Sequence, residues 1–249
     1  MKITNPIRSD GFGSQFQSII FTAIYCELTD NEFVYTPFKS MEHNYDNDPD
    51  FIKKKEKLIN FIGNFPMNCF IPVPENIKEI DLYTINNYFE LNAQKCYESK
   101  TLQKIRWLFY ENKNINKDPN ETYIAIHIRR PNKHDNRFDT SNIPDYIYLE
   151  IINKLRIYRN YKIHIFSQGP IENFKEYVAD DIVLHLDEDI ETTFINMVYA
   201  DILITSKSSL SYIAALLNVN TIYYIPFWHS PLYHWNTIIL EECPKEDTE

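Results

Sequence analysis

The sequence predicts an α/β protein whose C-terminal half forms a Rossmann-like domain around a parallel sheet. Two observations support this prediction. Short apolar segments alternate with amphipathic helical patterns after residue 121, and 44% of the residues are apolar, which is enough for a sizeable core. The predicted strands are 122–128, 161–166, 181–186, 201–204 and 221–225. The predicted helices are 143–158, 171–178, 190–199 and 208–218.

The N-terminal half has a less regular pattern. A short predicted strand at 1–6 leads into a glycine-containing turn at 10–13. The helix after this turn has one apolar face, formed by Phe16, Ile19, Ile20, Ala23, Ile24 and Leu28. A strand at 32–35, a helix at 50–61 and a long helical region at 86–111 complete this half.

A polar segment at 112–121 (NKNINKDPNE) separates the two patterns. It contains an Asp-Pro pair and only one apolar residue, which is typical of a linker. We therefore predict an N-terminal α/β domain at 1–118 and a C-terminal Rossmann-like domain at 119–249.

The charge, the cysteine spacing and the lack of long apolar runs argue against several classes of protein. A net charge of -10 disfavours nucleic-acid binding, because phosphates repel an acidic chain. The four cysteines have neither CxxC nor zinc-site spacing, so we expect buried, reduced thiols. The N-terminus is polar and no run of 18 apolar residues occurs. We therefore expect no membrane span and a cytoplasmic location, unless a longer natural chain was trimmed.

The segment 126–130 (IHIRR) places two arginines where the strand 122–128 ends. Ligands of open α/β sheets bind at the carboxyl ends of the strands, and a guanidinium can hold a phosphate through two hydrogen bonds. Adjacent arginines point in different directions, so Arg129 and Arg130 can take different roles. The alternative is that both form structural or surface ion pairs.

The segment 205–211 (TSKSSLS) follows the strand 201–204 and opens the helix 208–218. Hydroxyls and N–H groups at a helix start bind anions, so Ser208 and Ser209 are candidate ligands of a diphosphate. The alternative is an ordinary helix N-cap.

The segment 10–15 (DGFGSQ) contains half of the four glycines in the chain, at a junction between strand and helix. Glycine lets backbone approach a ligand closely, but a lone GxG also occurs in simple tight turns.

Two acidic triplets, 46–48 (DND) and 187–189 (DED), match the D-x-D pattern of metal-binding transferases. Short acidic groups are common in a chain with 35 carboxylates, so we interpret both as solvated loop charge. The C-terminal aromatic and histidine residues can stack on sugars or bases, although such residues more often pack in cores or between domains. They are Trp228, His229, Tyr233, His234 and Trp235.

Together, DGFGSQFQ, the HIRR segment and ADILITSKSSLSYIAA resemble the fucosyltransferase superfamily with the HxRR peptide. That superfamily includes α-1,2- and α-1,6-fucosyltransferases and protein O-fucosyltransferases. The resemblance implies a GT-B-like fold with two Rossmann-like domains, and inverting transfer of fucose from GDP-fucose to a glycan hydroxyl without a metal or other cofactor. It also implies that the N-terminal domain at 1–118 carries the acceptor side and that the C-terminal domain at 119–249 binds the nucleotide sugar.

The resemblance also implies roles for individual residues. Arg129 would bind the β-phosphate and stabilise the leaving diphosphate, His127 would line the nucleotide site, and Arg130 would brace the loop while counting among the donor-binding residues. The remaining donor-binding residues implied are Gly11, Gly13, Gln15, Glu191, Thr193, Ser208 and Ser209.

One departure from the family pattern concerns the general base. Many members read HxRRxD, but this chain has Asn132 at the last position. Asp135 or Asp139 on the same loop could supply the carboxylate, and we predict Asp135. A transferase using another nucleotide sugar, a metal-dependent enzyme built on 187–189, and a catalytically silent nucleotide- or sugar-binding protein are the alternatives.

Overall fold

The computed structural model describes residues 1–70, 72–111, 113, 115, 117–130, 143–157 and 160–239. The N-terminal half contains three short strands and five helices among these residues: β1 Lys2–Thr4, α1 Phe12–Leu28, β2 Glu32–Val34, α2 Phe51–Ile59, β3 Ile77–Glu79, α3 Leu82–Leu91, α4 Ala93–Glu98 and α5 Lys100–Tyr110. The strands form a parallel sheet in the order β2-β1-β3.

The C-terminal half forms a larger parallel sheet in the order β6-β5-β4-β7-β8-β9. Relative to one another these strands follow the doubly wound order 3-2-1-4-5-6. Its elements are β4 Thr122–His127, α6 Asp145–Leu155, β5 Tyr161–Ser167, a 3₁₀ helix Ile171–Tyr177, β6 Ile182–Leu186, α7 Ile190–Tyr199, β7 Ile202–Ile204, α8 Ser209–Leu217, β8 Thr221–Tyr224 and β9 Asn236–Thr237. The predicted α/β class and the parallel sheet are confirmed.

Local predictions were wrong at several places. The helical region predicted at 86–111 is three helices, because the chain breaks at Asn92 and again at Ser99, whose hydroxyl accepts a hydrogen bond from the Leu102 N–H and caps α5. The helix predicted at 171–178 is a 3₁₀ helix. β3 and β9 were not predicted, since neither has an apolar pattern. Cys69 is exposed, contrary to the expected burial, whereas Cys26 and Cys96 are buried.

A single apolar cluster spans both halves of the chain. Phe194 of α7 contacts Phe12 and Phe16 of α1, with ring centroids 5.3 Å and 6.2 Å away, and Phe109 of α5 at 5.4 Å. All four rings are essentially inaccessible to solvent. Burying a side chain of this size stabilises a fold by about 1.5–3 kcal/mol. The division predicted between residues 118 and 119 separates the two sheets but not this shared core.

Polar contacts also join the halves. The Arg106 guanidinium donates from Nε and Nη2 to the carbonyl of Leu216 at 2.9 Å and 2.7 Å, at the C-terminal end of α8. The Tyr110 hydroxyl donates to the carbonyl of Val198 at 3.1 Å. These contacts satisfy carbonyls at helix ends that the helices themselves cannot pair.

Gly13, in the first turn of α1, is a point of close approach between the halves. A Cβ atom at this position would lie 2.5 Å from the backbone nitrogen of Leu210 and 2.9 Å from the carbonyl carbon of Ser209. Only a residue without a side chain lets α1 begin directly against the first turn of α8. Gly13 therefore sets the relative position of the two helix starts.

We expect Gly13→Ala to destabilise the protein by about 1–3 kcal/mol, because the added methyl group would clash with backbone atoms, which cannot move aside as a side chain can. Helix propensity alone predicts a gain of roughly 1 kcal/mol for the same change. Urea unfolding measures the difference, and Gly11→Ala is the milder control, since its added Cβ would meet only the His43 side chain, at 3.1 Å. A Gly13→Ala protein as stable as the wild type would contradict the contact.

Candidate functional site

The candidate site lies where the strand order of the large sheet reverses, between β4 and β7. These strands pair in parallel, with Ile126 opposite Ile204. The chains that leave their carboxyl ends turn to opposite faces of the sheet and open a crevice, which is where doubly wound folds bind ligands. The HIRR segment and the serine-rich segment therefore lie side by side, although about 80 residues separate them in the sequence.

His127 is the last residue of β4 and joins the two strand ends. It is buried, and its Nδ1 atom forms a 3.0 Å hydrogen bond with the Ser206 hydroxyl. Burial, aided by the positive charge of Arg129, lowers the pKa of His127 to about 3. The imidazole is therefore neutral at physiological pH and positions the strand ends without adding charge.

The two arginines of the motif have different surroundings. Arg130 is ion-paired with Asp145, and its Nη1 donates to the carbonyl of Ile143 at 3.4 Å. Its own carbonyl accepts from Gln168 Nε2 at 2.6 Å. These contacts favour a bracing role over donor binding. Arg129 is half-buried at the strand end, close enough to His127 to depress the pKa of that ring.

The N-terminus of α8 supplies the second half of the site. The Ser208 hydroxyl accepts a 3.2 Å hydrogen bond from the Leu210 N–H and caps the helix. The Ser211 hydroxyl accepts a 3.2 Å bond from the Ser206 N–H, which ties the preceding turn to the helix. Ser208 is buried, while Ser209 is partly accessible. A capped helix start of this kind favours an anion, through its N–H groups and its dipole.

The loop before α1 closes on the same place. Gln15 is buried, and its Nε2 donates to the carbonyls of Asp10 and Ser40 at 2.5 Å and 2.9 Å, so its amide nitrogen braces the loop. A Cβ atom at Gly11 would meet the ring of His43, and one at Gly13 would clash with the backbone of α8. Packing within the protein therefore accounts for a small residue at both positions. A role of Gly11, Gly13 or Gln15 toward a donor stays a prediction.

Arg8 and Asp10 form an ion pair at the mouth of this loop, and Arg8 also donates to the Ser14 hydroxyl at 3.0 Å. Burial alone would raise the pKa of Asp10, but the hydrogen bonds from Arg8 and Ser14 outweigh it and lower that pKa. Asp10 is therefore a carboxylate at neutral pH. Motif reading did not single out this pair as functional, because only the turn brings residues 8, 10 and 14 together.

Glu191, predicted near a guanosine, lies in the first turn of α7 and pairs with a lysine from the other half of the chain. Lys55 Nζ lies 2.7 Å from Glu191 Oε1, and the Lys55 side chain is 1% exposed against 21% for Glu191. The partner escaped sequence reasoning, since a lysine within 51–59 (FIKKKEKLI) gives no sign of burial. Thr193 lies in the same first turn, where its N–H donates to the Asp189 carbonyl at 3.0 Å.

The acidic triplet 187–189 uses its carboxylates for local structure. Asp187 accepts from the Gly169 N–H at 3.0 Å, Glu188 pairs with His185 at 2.7 Å, and Asp189 caps α7 by accepting from the Thr192 N–H at 2.8 Å. Within the described parts of the chain, no group of three His, Cys, Asp or Glu side chains is arranged to hold a metal ion. Asn132, Asp135 and Asp139 lie outside the described residues.

The chain has similar solved structures but no similar known sequence. No protein-family model and no curated protein sequence matches the chain. The E. coli heptosyltransferase WaaC, solved with ADP-2-deoxy-2-fluoro heptose, aligns with 96% of this chain and 93% of its own, at a TM-score of 0.50 and 13% identity. The fold is GT-B-like.

Two fucosyltransferases align with lower scores. The NodZ α-1,6-fucosyltransferase of Bradyrhizobium, soaked with GDP-fucose, aligns over 87% of this chain and 92% of its own, with a TM-score of 0.43 and 12% identity. POFUT1 in complex with GDP aligns over 88% and 94%, with a TM-score of 0.47 and 12% identity. Among the residues that the structure describes, no helix is long and apolar enough to cross a lipid bilayer.

His127 makes stability depend on pH. The unfolded chain binds a proton near the ordinary imidazole pKa of 6.5, whereas the folded chain does so only near 3, so stability is lost as the pH falls below about 6.5. We expect this one group to lower the unfolding free energy by on the order of 2 kcal/mol between pH 7 and pH 5.

In His127→Asn, the loss between pH 7 and pH 5, measured by urea unfolding, should therefore be smaller than in the wild type. Burial and the nearby His185 and Lys162 lower the pKa of His164 to about 4, so His164→Asn should act in the same direction and the double variant should flatten the profile further. An unchanged pH dependence in His127→Asn would contradict a buried neutral imidazole.

Proposed function

We propose that the protein is an inverting, metal-independent glycosyltransferase that transfers fucose from GDP-fucose to a hydroxyl group of a glycan. The observation that carries the proposal is the meeting of three segments at the switch point of a GT-B-like fold. The end of β4 brings Arg129, the start of α8 brings Ser208 and Ser209, and Gly13 holds the start of α1 against them.

The start of α8 is suited to bind the donor diphosphate, because its N–H groups and dipole attract negative charge. Cleavage of the bond between fucose and phosphate leaves negative charge on the diphosphate, and fixed N–H groups, hydroxyls and a guanidinium lower the barrier when they face that charge. We assign this task to Arg129, which is half-buried just beyond the end of β4 and close to the buried His127. The neutral His127 leaves the positive charge of the site on the guanidinium.

The acceptor side requires a group that takes a proton from the attacking hydroxyl. Asp135, the residue predicted from the sequence, is one candidate. Asp139 on the same loop is a second candidate. Asp10 is a third, because it lies on the loop that leads to Gly13, beside the start of α8, but its ion pair with Arg8 and its lowered pKa make it a weaker base. The variants Asp10→Asn, Asp135→Asn and Asp139→Asn discriminate among them, since replacing the true base should lower kcat by about 10²–10⁴-fold. An unchanged kcat in all three variants would exclude all three residues.

A second candidate function is transfer from another nucleotide sugar. The likeness to a heptosyltransferase solved with an ADP-linked sugar favours it. Glu191 is paired with Lys55, so only part of its carboxylate remains to accept hydrogen bonds from the guanine base of a GDP-sugar. A catalytically silent nucleotide-binding protein is the alternative outside enzymes.

The experiment that tests the proposal is a thermal-shift panel of GDP, UDP, dTDP and ADP, measured in EDTA. A ligand that binds only the folded state raises Tm, by a free energy of about 2.7 kcal/mol at 100 times its Kd. GDP should give the largest rise, and GDP-fucose should then be consumed in EDTA with a glycan acceptor. A rise in Tm with ADP alone would indicate an ADP-linked sugar as the donor in place of GDP-fucose. A rise in Tm that requires Mg²⁺ would exclude the metal-independent mechanism. Nucleotide binding without turnover would favour the catalytically silent protein.

We expect Arg129→Ala to reduce kcat by the equivalent of about 2–4 kcal/mol, because the leaving diphosphate loses its cation. Arg156→Ala is the matched control: Arg156 pairs with Asp181 at 2.9 Å, beside the amino end of β6 and therefore at the opposite edge of the same sheet. Steady-state kinetics with GDP-fucose measure both variants. Near-normal turnover in Arg129→Ala, or equal losses in both variants, would count against the mechanism.

A further inference from the structure

The segment 225–230 (IPFWHS) leaves the large sheet beside the candidate phosphate site. It follows β8, which pairs with β7. The Ile225 N–H donates to the Thr205 hydroxyl at 3.0 Å, and Thr205 immediately precedes Ser206, the partner of His127. The segment therefore starts at the same carboxyl edge as the serine-rich turn, one strand further along.

Hydrogen bonds at both ends hold this segment in one conformation. The buried Tyr224 hydroxyl donates to the His229 carbonyl at 2.6 Å and accepts from the Phe227 N–H at 3.1 Å, which closes a turn. The ring of His229 is bound to Glu90 at 2.5 Å and to Gln17, and the Ser230 N–H donates to Glu90 at 3.1 Å. The turn is thus anchored on α1 and α3 of the other half.

The tip of this anchored turn presents an indole ring to solvent. Trp228 is 75% exposed, although Phe227 packs on it with ring centroids 4.9 Å apart. The nearby aromatic residues Tyr212, Tyr224 and Trp235 are buried under the turn. Exposed aromatic rings also occur elsewhere on the described surface, as at Tyr83 and Trp107, so exposure by itself does not mark a binding site. Trp228 differs from them because it lies on a turn that is anchored beside the candidate site.

We propose that Trp228 is a stacking platform for a pyranose ring of the acceptor glycan, an inference that rests on the proposed transferase function. A sugar ring has one face of C–H groups with partial positive charge, which complements the negative face of an indole, and a single exposed ring matches a single sugar in size. Glu90, 29% exposed at its side chain, lies beside the turn and can accept hydrogen bonds from sugar hydroxyls.

Position and charge favour the acceptor over the nucleotide. Gln17, which binds His229, follows Gly13 by one helical turn, about 6 Å along α1. The turn is therefore close to the proposed transfer point. The Glu90 carboxylate beside it repels phosphate, which disfavours a nucleotide, whereas a neutral saccharide meets no such repulsion.

A glycan array probed with labelled full-length protein tests the platform, because retention of a glycan requires no transfer. We expect Trp228→Ala to lose retention by about tenfold or more, and Trp228→Tyr to keep most of it. Trp107→Ala is the matched control, because Trp107 is also exposed, at 60%, but lies on α5. Equal retention by Trp228→Ala and the wild type, or no glycan retained by the wild type, would overturn the proposal.

Fluorescence provides the second measurement and guards against misfolding. The chain has three tryptophans, and Trp235 is buried, so in a Trp107→Phe background Trp228 is the exposed emitter. A glycan from the array should protect its emission from iodide, and an unprotected emission would exclude stacking. Trp228→Ala should keep the wild-type Tm response to GDP. Glycan retention that depends on Trp228 without any nucleotide response would support the platform and reject the transferase.

Discussion

The backbone contact of Gly13 with the first turn of α8 is the constraint on which the rest of the structure depends. It places two helix starts, one from each half of the chain, closer than any side chain would permit. The rings of Phe12, Phe16 and Phe194 pack against one another in the core that the two halves share. Because the halves share this core, the geometry of the candidate site is set by packing rather than by a linker.

The electrostatics of the site follow from burial and pairing. His127 is kept neutral because it is buried next to a cation, and Arg130 is paired with Asp145, so the two flanking groups of the motif contribute structure. Arg129 lies between them. The start of α8 adds partial positive charge without another basic side chain. An acidic protein can in this way present a local site for an anion without becoming a general binder of polyanions.

The sequence predicted five of the six strands of the large sheet, because buried parallel strands are continuous apolar runs and their helices have one apolar face. Sequence patterns missed the break at Ser99, because one capping serine divides an otherwise helical pattern. They also missed β3, because this strand pairs through its backbone and has no apolar face. The motif residues could be recognised in the same way, as polar groups directly after strands. Their partners could not, since Lys55 and Glu90 are far from Glu191 and His229 in the sequence.

The sequence alone determined the α/β class, the parallel sheet and the identity of the residues at the strand ends, because periodicity and strand-end position are local properties. Only the tertiary structure decided which residues meet. The strand order places His127 beside Ser206, and the approach of α1 to the first turn of α8 explains a glycine that looked like part of a turn. The physical reason is that strand order and helix approach depend on contacts between residues distant along the chain, whose free energy no local pattern records.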